Sequence, residues 1–163
     1  MDEITEQFGA LGSWQKIDEQ FDATIVKQTN DASCVAAVGE MLANFYGLNL
    51  TQAEILEEIG VWANAKILAR FLNSKETRTD VKWIGGGWEH PVDALKWLIQ
   101  SDKVLGAMLR EGSPLGHAVF IYGEDENGLI ILKDPFDQTS YKMTPENLQE
   151  VLSEFVWRKK LYD

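Results

Sequence analysis

The chain has 163 residues, a formal net charge of −11, and 45% hydrophobic and 25% charged residues, the composition of a globular protein of ordinary domain size. So acidic a surface repels phosphate backbones and anionic lipid, which argues against nucleic-acid binding and membrane insertion and favours a neutral or basic polypeptide as partner. One cysteine and two histidines rule out an internal disulfide and argue against a zinc site, and without an EF-hand loop, a phosphate-binding glycine loop or a dinucleotide fingerprint no cofactor is expected.

Residues 1–13 read as a flexible lead-in, and the mixed stretch that follows ends in the β-prone Thr24-Ile25-Val26. A helix is expected over 33–46. Asp31 or Ser33 can cap it, Val35, Val38, Leu42 and Phe45 recur at helical spacing, and Gly47 is a suitable stop. The run TQAEILEEIG opens on a capping box, Thr51 with Glu54, and closes at Gly60. ANAKILARFLN is a further helix, DVKWI a short strand, and WIGGGWEH a flexible glycine-rich loop. Pro91 suits the first turn of a helix that runs through Leu98.

After Gln100 the texture turns to strand. VLGAML, HAVFIYG and GLIILKDP are strand candidates, and EDENG joins the last two into an antiparallel hairpin. TSYKM extends the sheet, Thr144 and Pro145 start a helix over 145–155, and VWRKK closes as a strand. Helices dominate the first half and strands the second. That segregation predicts an α+β fold in which an antiparallel sheet packs against a helical half, as one domain over 1–163.

Cys34 falls in the first turn of the predicted helix, where free backbone N–H groups and the helix dipole favour a thiolate. A lone cysteine on a helix also serves as a small buried hydrophobe. His117 opens the apolar strand HAVFIYG; it is either a strand-end histidine bonded to backbone or the base that a cysteine nucleophile needs. Asp134 ends the partner strand, so the hairpin brings it beside His117, where a carboxylate can fix the imidazole tautomer. Asp134 before Pro135 also reads as an ordinary turn aspartate. Gln28, six residues before Cys34, can supply an amide donor to an oxyanion, with the Cys34 N–H as the second donor. Trp83 and Trp88 flank the glycine loop and are either a substrate-facing lip or a cover for the sheet edge. His90, before Pro91, lacks a hairpin carboxylate and reads as a surface residue.

Gln-x5-Cys at a helix start, GHAVFIYG and LKDPF together resemble the papain-like cysteine peptidases, and more closely the bacteriocin-processing, double-glycine leader peptidases and their stand-alone relatives. The resemblance runs from about Trp14 to Lys160. It implies a papain-like fold, with Cys34 as nucleophile, His117 as general base and acid, Asp134 as orienting residue and Gln28 as oxyanion donor. It also implies a substrate contact at Val35, which stands where the leader peptidases place glycine; Trp88, beside the glycine loop, and Gly116, just before His117, are further candidates for substrate binding. Similar patterns occur at the ends of bacterial polymorphic toxins, some of them peptidases and others glutamine deamidases.

The expected activity is therefore hydrolysis of a peptide bond through a thioester acyl-enzyme, on a peptide or protein substrate. The alternatives are a toxin or effector domain acting on glutamine side chains, as a deamidase or transglutaminase, and a non-catalytic substrate-binding relative. A toxin would need an immunity or inhibitor protein. No apolar run approaches the roughly 18 residues that span a bilayer. The acidic start MDEITEQFGALGSW is unlike a secretory signal, so a cytoplasmic location is expected, with non-Sec export left open.

Overall fold

The computed structural model describes residues 5–9, 12–87, 91–100, 104–109 and 117–161. In chain order the elements are β1 (Thr5–Gly9), β2 (Gly12–Phe21), α1 (Cys34–Phe45), α2 (Gln52–Ile59), α3 (Ala65–Lys75), β3 (Val81–Gly86), α4 (Pro91–Gln100), β4 (Leu105–Leu109), β5 (His117–Glu124), β6 (Ile130–Asp134), β7 (Thr139–Met143), α5 (Pro145–Val151) and β8 (Leu152–Lys160). Among the described residues the strands form an eight-stranded sheet in the order β1-β2-β7-β6-β5-β4-β8-β3. Every neighbouring pair is antiparallel. The architecture is α+β, as expected.

Alternation along β5 shows how the layers are built. Ala118 and Phe120 belong to the core under α1, α2 and α3, with Val38, Leu42, Ile55, Leu68 and Trp83. Val119 and Ile121 point to the other face and pack with Leu95 and Leu98 of α4 and Leu148 of α5. A period of two therefore serves cores on both sides of the sheet. β5 lies in the middle, so His117 begins a strand covered on both faces.

The helix signals are realised closely. Thr51 Oγ1 accepts the Glu54 N–H at 3.2 Å, and Asn64 caps α3 by accepting the Ile67 N–H at 2.9 Å. Gly47 follows α1 with φ +80°, the left-handed stop that favours glycine. Phe45, placed on the apolar stripe by spacing, is 50% exposed at the end of α1.

Other expectations change. Thr5–Gly9 and Gly12–Phe21 pair as a hairpin where the sequence reads as a lead-in. Thr24-Ile25-Val26 is turn and loop instead of strand, because the Thr24 hydroxyl and N–H both turn back to the Asp22 carboxylate. The last helix stops at Val151, and Leu152 already begins β8. Gly85 and Gly86 extend β3 into the glycine-rich stretch. At Gly85 a Cβ would stand 2.2 Å from the Ala65 carbonyl oxygen, so glycine there lets the start of α3 lie directly on the strand.

Trp83 is no lip. It is 1% exposed: its Nε1 donates to Glu76 at 3.0 Å, and its ring meets Tyr46 edge-on at 5.6 Å. Glu76 is also gripped by Arg158, whose Nε and Nη2 donate at 2.7 and 2.9 Å. This bidentate pair ties the end of α3 to β8.

Candidate active site

Cys34 is the first residue of α1 and is 5% exposed. Ser33 precedes it in the capping position, but its side chain does not cap. Its hydroxyl instead accepts the Asn30 N–H at 3.0 Å and donates to the Asn30 carbonyl at 3.1 Å. The loop is braced, and the N–H groups of the first turn are left unclaimed by a side-chain cap.

His117 Nε2 and Asp134 Oδ1 are 2.6 Å apart, with both side chains buried. A bulge makes this contact. Near the turn, Glu124 pairs with Ile130 and Gly123 with Ile131; beyond Tyr122, Ile121 pairs with Leu132 and Phe120 with Lys133. Tyr122 is thus an extra residue on β5. Without it Asp134 would share a face with Phe120, under α1. The one-residue shift moves Asp134 to the face of Val119, Ile121 and His117.

Asp134 is surrounded by donors. The Phe136 N–H donates to Oδ1 at 2.9 Å and the Tyr141 hydroxyl to Oδ2 at 2.8 Å. Burial opposes its charge, but the charge and hydrogen bond of His117, then the Phe136 N–H and the Lys16 charge, outweigh it and lower its pKa. Tyr141 in turn accepts the Trp14 Nε1–H at 3.2 Å. Burial, with the Asp134 charge beside it, raises the Tyr141 phenol well above its usual range, so the hydroxyl stays a neutral donor. The Trp14 ring also stacks on His117, with centroids 6.1 Å apart and planes at 19°.

Burial alone would lower the pKa of His117. The charge and hydrogen bond of Asp134, and then the Cys34 thiol, outweigh it and raise the imidazole to about 9. Asp134 occupies Nε2, and Nδ1 is buried with no hydrogen-bond partner among the described residues.

Gln28 is 7% exposed. Its N–H donates to the Pro135 carbonyl at 2.8 Å, which ties it to the turn after Asp134. Its Nε2 donates to the Asn30 carbonyl at 2.9 Å, and among the described residues the second amide proton has no acceptor, so it is free to point at a substrate. The structure thus brings Cys34, His117 and Asp134 together, with Gln28 held to the same turn.

Residues 20–160 match the model of the Peptidase_C39 like family. The chain belongs to this family. It is 33% identical over 144 residues to "Cysteine protease effector 1" of Escherichia coli O1:K1:H7, a match that takes in 88% of this chain and 28% of that protein. The chain thus spans little more than a quarter of that relative's length. The peptidase domain of Streptococcus ComA, a bifunctional ABC transporter of a quorum-sensing pathway, superposes with a TM-score of 0.65 at 19% identity, covering 83% of this chain and 96% of that one. The peptidase domain of Streptococcus mutans ComA gives 0.53 at 15% identity, over 83% and 98%. The C39-like chain thus shares its fold with the two ComA peptidase domains.

Val35 of the C39-like chain is 6% exposed and sits in the core under the helices. Trp88, Gly116 and His90 lie outside the described residues. Sequence reasoning missed Trp14 and Tyr141. Alternation in TSYKM puts Tyr141 on the inward face with Met143, which signals burial, but nothing local marks its partner. Among the described residues no group of three or more His, Cys, Asp or Glu is placed to hold a metal ion, and no helix is long and apolar enough to cross a membrane.

Proposed function

We propose that this peptidase hydrolyses a peptide bond through Cys34, His117 and Asp134, by way of a thioester acyl-enzyme. The observation that carries the reading is the buried 2.6 Å contact between His117 Nε2 and Asp134, with Nδ1 left for the thiol of the residue that starts α1. The Cys34 proton lies on Nδ1 before substrate arrives, with imidazolium as the resting form, and Sγ attacks the substrate carbonyl carbon. The oxygen becomes an anion, received by the Cys34 N–H and the spare proton of the Gln28 amide. The intermediate collapses, the C–N bond breaks, and imidazolium donates its proton to the leaving amine. Water then gives a proton to Nδ1 and attacks the thioester, releasing a carboxylic acid and the thiolate. Asp134 holds the ring by Nε2 and stabilises its charged form without taking the proton.

The relative's name as an effector favours the same role here, as the peptidase part of an effector or toxin met by an inhibitor or immunity protein. A reducing, cytoplasmic setting suits the free thiol.

The test is to trap the acyl-enzyme by acid quench and to identify the acyl group on Cys34 by mass spectrometry, in wild type and His117→Ala. A main-chain acyl fragment on wild type alone is expected. A glutamine side-chain acyl group would move the reading to deamidation, and equal, slow labelling of both proteins would return Cys34 to the core.

A further inference from the structure

Gln52 opens α2, an element that contributes none of the groups above, and is 6% exposed. Its side chain reaches the segment that carries Gln28. Nε2 donates to the Lys27 carbonyl at 2.8 Å, and Oε1 accepts the Thr29 N–H at 2.9 Å. These peptide groups lie immediately before and after Gln28. The Gln52 amide therefore pairs with the chain there as the peptide of a neighbouring strand would, using one donor and one acceptor. Gln52 is fixed in turn by Glu40 of α1, whose Oε1 accepts its N–H at 2.5 Å.

The far side of the same segment is held by the Gln28 N–H bond to Pro135. In extended chain, successive peptides point to opposite sides. Gln28 is thus clamped between α2 and the turn after Asp134, with only its side chain left to adjust. An oxyanion donor acts by being aimed before the charge develops, and a small misplacement is costly.

We propose that Gln52 is a positioning residue of the oxyanion hole, holding the backbone on both sides of Gln28 so that the Gln28 amide is aimed at the carbonyl attacked by Cys34. This rests on the role given to Gln28 above. A merely structural Gln52 would lower stability and leave the catalytic constants of the folded protein unchanged.

The test compares Gln52→Met, which keeps the length and loses both bonds, with Gln28→Ala and the double variant. Each is assayed on the p-nitrophenyl ester of N-benzyloxycarbonylglycine and by alkylation of Cys34 with iodoacetamide, at a temperature where circular dichroism shows it folded. Gln28→Ala is expected to lower kcat about 100-fold, the effect of removing one oxyanion donor. Gln52→Met lowers kcat roughly tenfold with KM within about twofold, and costs less than about twofold more in the Gln28→Ala background. Alkylation, which forms no oxyanion, proceeds in all of them at the wild-type rate. Gln52→Glu keeps the acceptor for Thr29 and loses the donor to Lys27, so it falls between wild type and Gln52→Met.

Equal loss from Gln52→Met in both backgrounds overturns the proposal. So does an unchanged kcat, or alkylation that slows in step with kcat. Ester hydrolysis that survives Cys34→Ala overturns the catalytic reading itself and this inference with it, a result distinct from the other three.

Discussion

The Tyr141 hydroxyl donates to Asp134 Oδ2 at 2.8 Å, on the side of the carboxylate that His117 leaves free. Asp134 is thereby fixed in position as well as in charge. Tyr141→Phe removes this bond and keeps the ring that Lys16 covers at 4.7 Å. Loss of a hydrogen bond to a buried charge is expected to lower the unfolding free energy by about 1.5–3 kcal/mol, measured by urea titration. A several-fold fall in kcat/KM accompanies it, because His117 loses a fixed partner. A variant as stable and as active as wild type would show that the bond is idle.

The His117–Asp134 pair makes stability depend on pH, with opposite signs at the two ends. The folded pKa of His117, about 9, lies above its free value of 6.5. Its contribution is complete below pH 6.5 and is lost as pH rises through about 9. Asp134 is lowered from 3.8, so its contribution is present above that value and is lost as pH falls through the depressed one. The gap in urea midpoint between wild type and Asp134→Asn should be widest between 3.8 and 6.5 and should close on both sides. In the proposed reaction, kcat/KM falls at high pH as the imidazolium is lost near 9, and Asp134→Asn moves that fall to lower pH.

Cys34 adds to the raised pKa of His117, after Asp134. Cys34→Ala is therefore expected to lower the His117 pKa, read by nitrogen-15 NMR of the imidazole. An unchanged titration would mean that thiol and ring do not interact. His90→Ala is the assignment control.

The core makes its own prediction at Gly85. A Cβ there meets the Ala65 carbonyl carbon at 2.6 Å as well as the oxygen at 2.2 Å, and backbone cannot rotate away as a side chain can. Gly85→Ala must push α3 off β3, at a cost of about 1–3 kcal/mol or more, visible as a lower Tm. An unchanged Tm would show that the two elements yield freely.

Cys34 was legible because a helix start is a local event: small polar residues, then apolar residues at helical spacing, mark it within a dozen positions. The His117–Asp134 pairing was read from the hairpin, but an uninterrupted ladder would have put the two side chains on opposite faces. The bulge at Tyr122 that joins them has no sequence mark. Trp14 was invisible for another reason. It reaches Tyr141 across 127 positions, and only the placement of β2 beside β7 brings them together. Gln52 looked like one more polar residue in a helical first turn, because its partners belong to a loop that precedes α1. Local chemistry was readable, and contacts that depend on strand order were not.

The loop before α1 is sewn to the turn after β6 at several points. Asp22 N–H bonds to the Gln138 carbonyl at 2.8 Å, the Gln138 amide to the Ile25 carbonyl at 2.9 Å, and Gln28 N–H to Pro135 at 2.8 Å. Neither segment can open without breaking the seam. Amide exchange along it should therefore report a single opening event, in which thiol, imidazole, carboxylate and amide become exposed together. A site built this way is lost as a unit, and heat or denaturant should leave few molecules with a reactive thiol and a dismantled base.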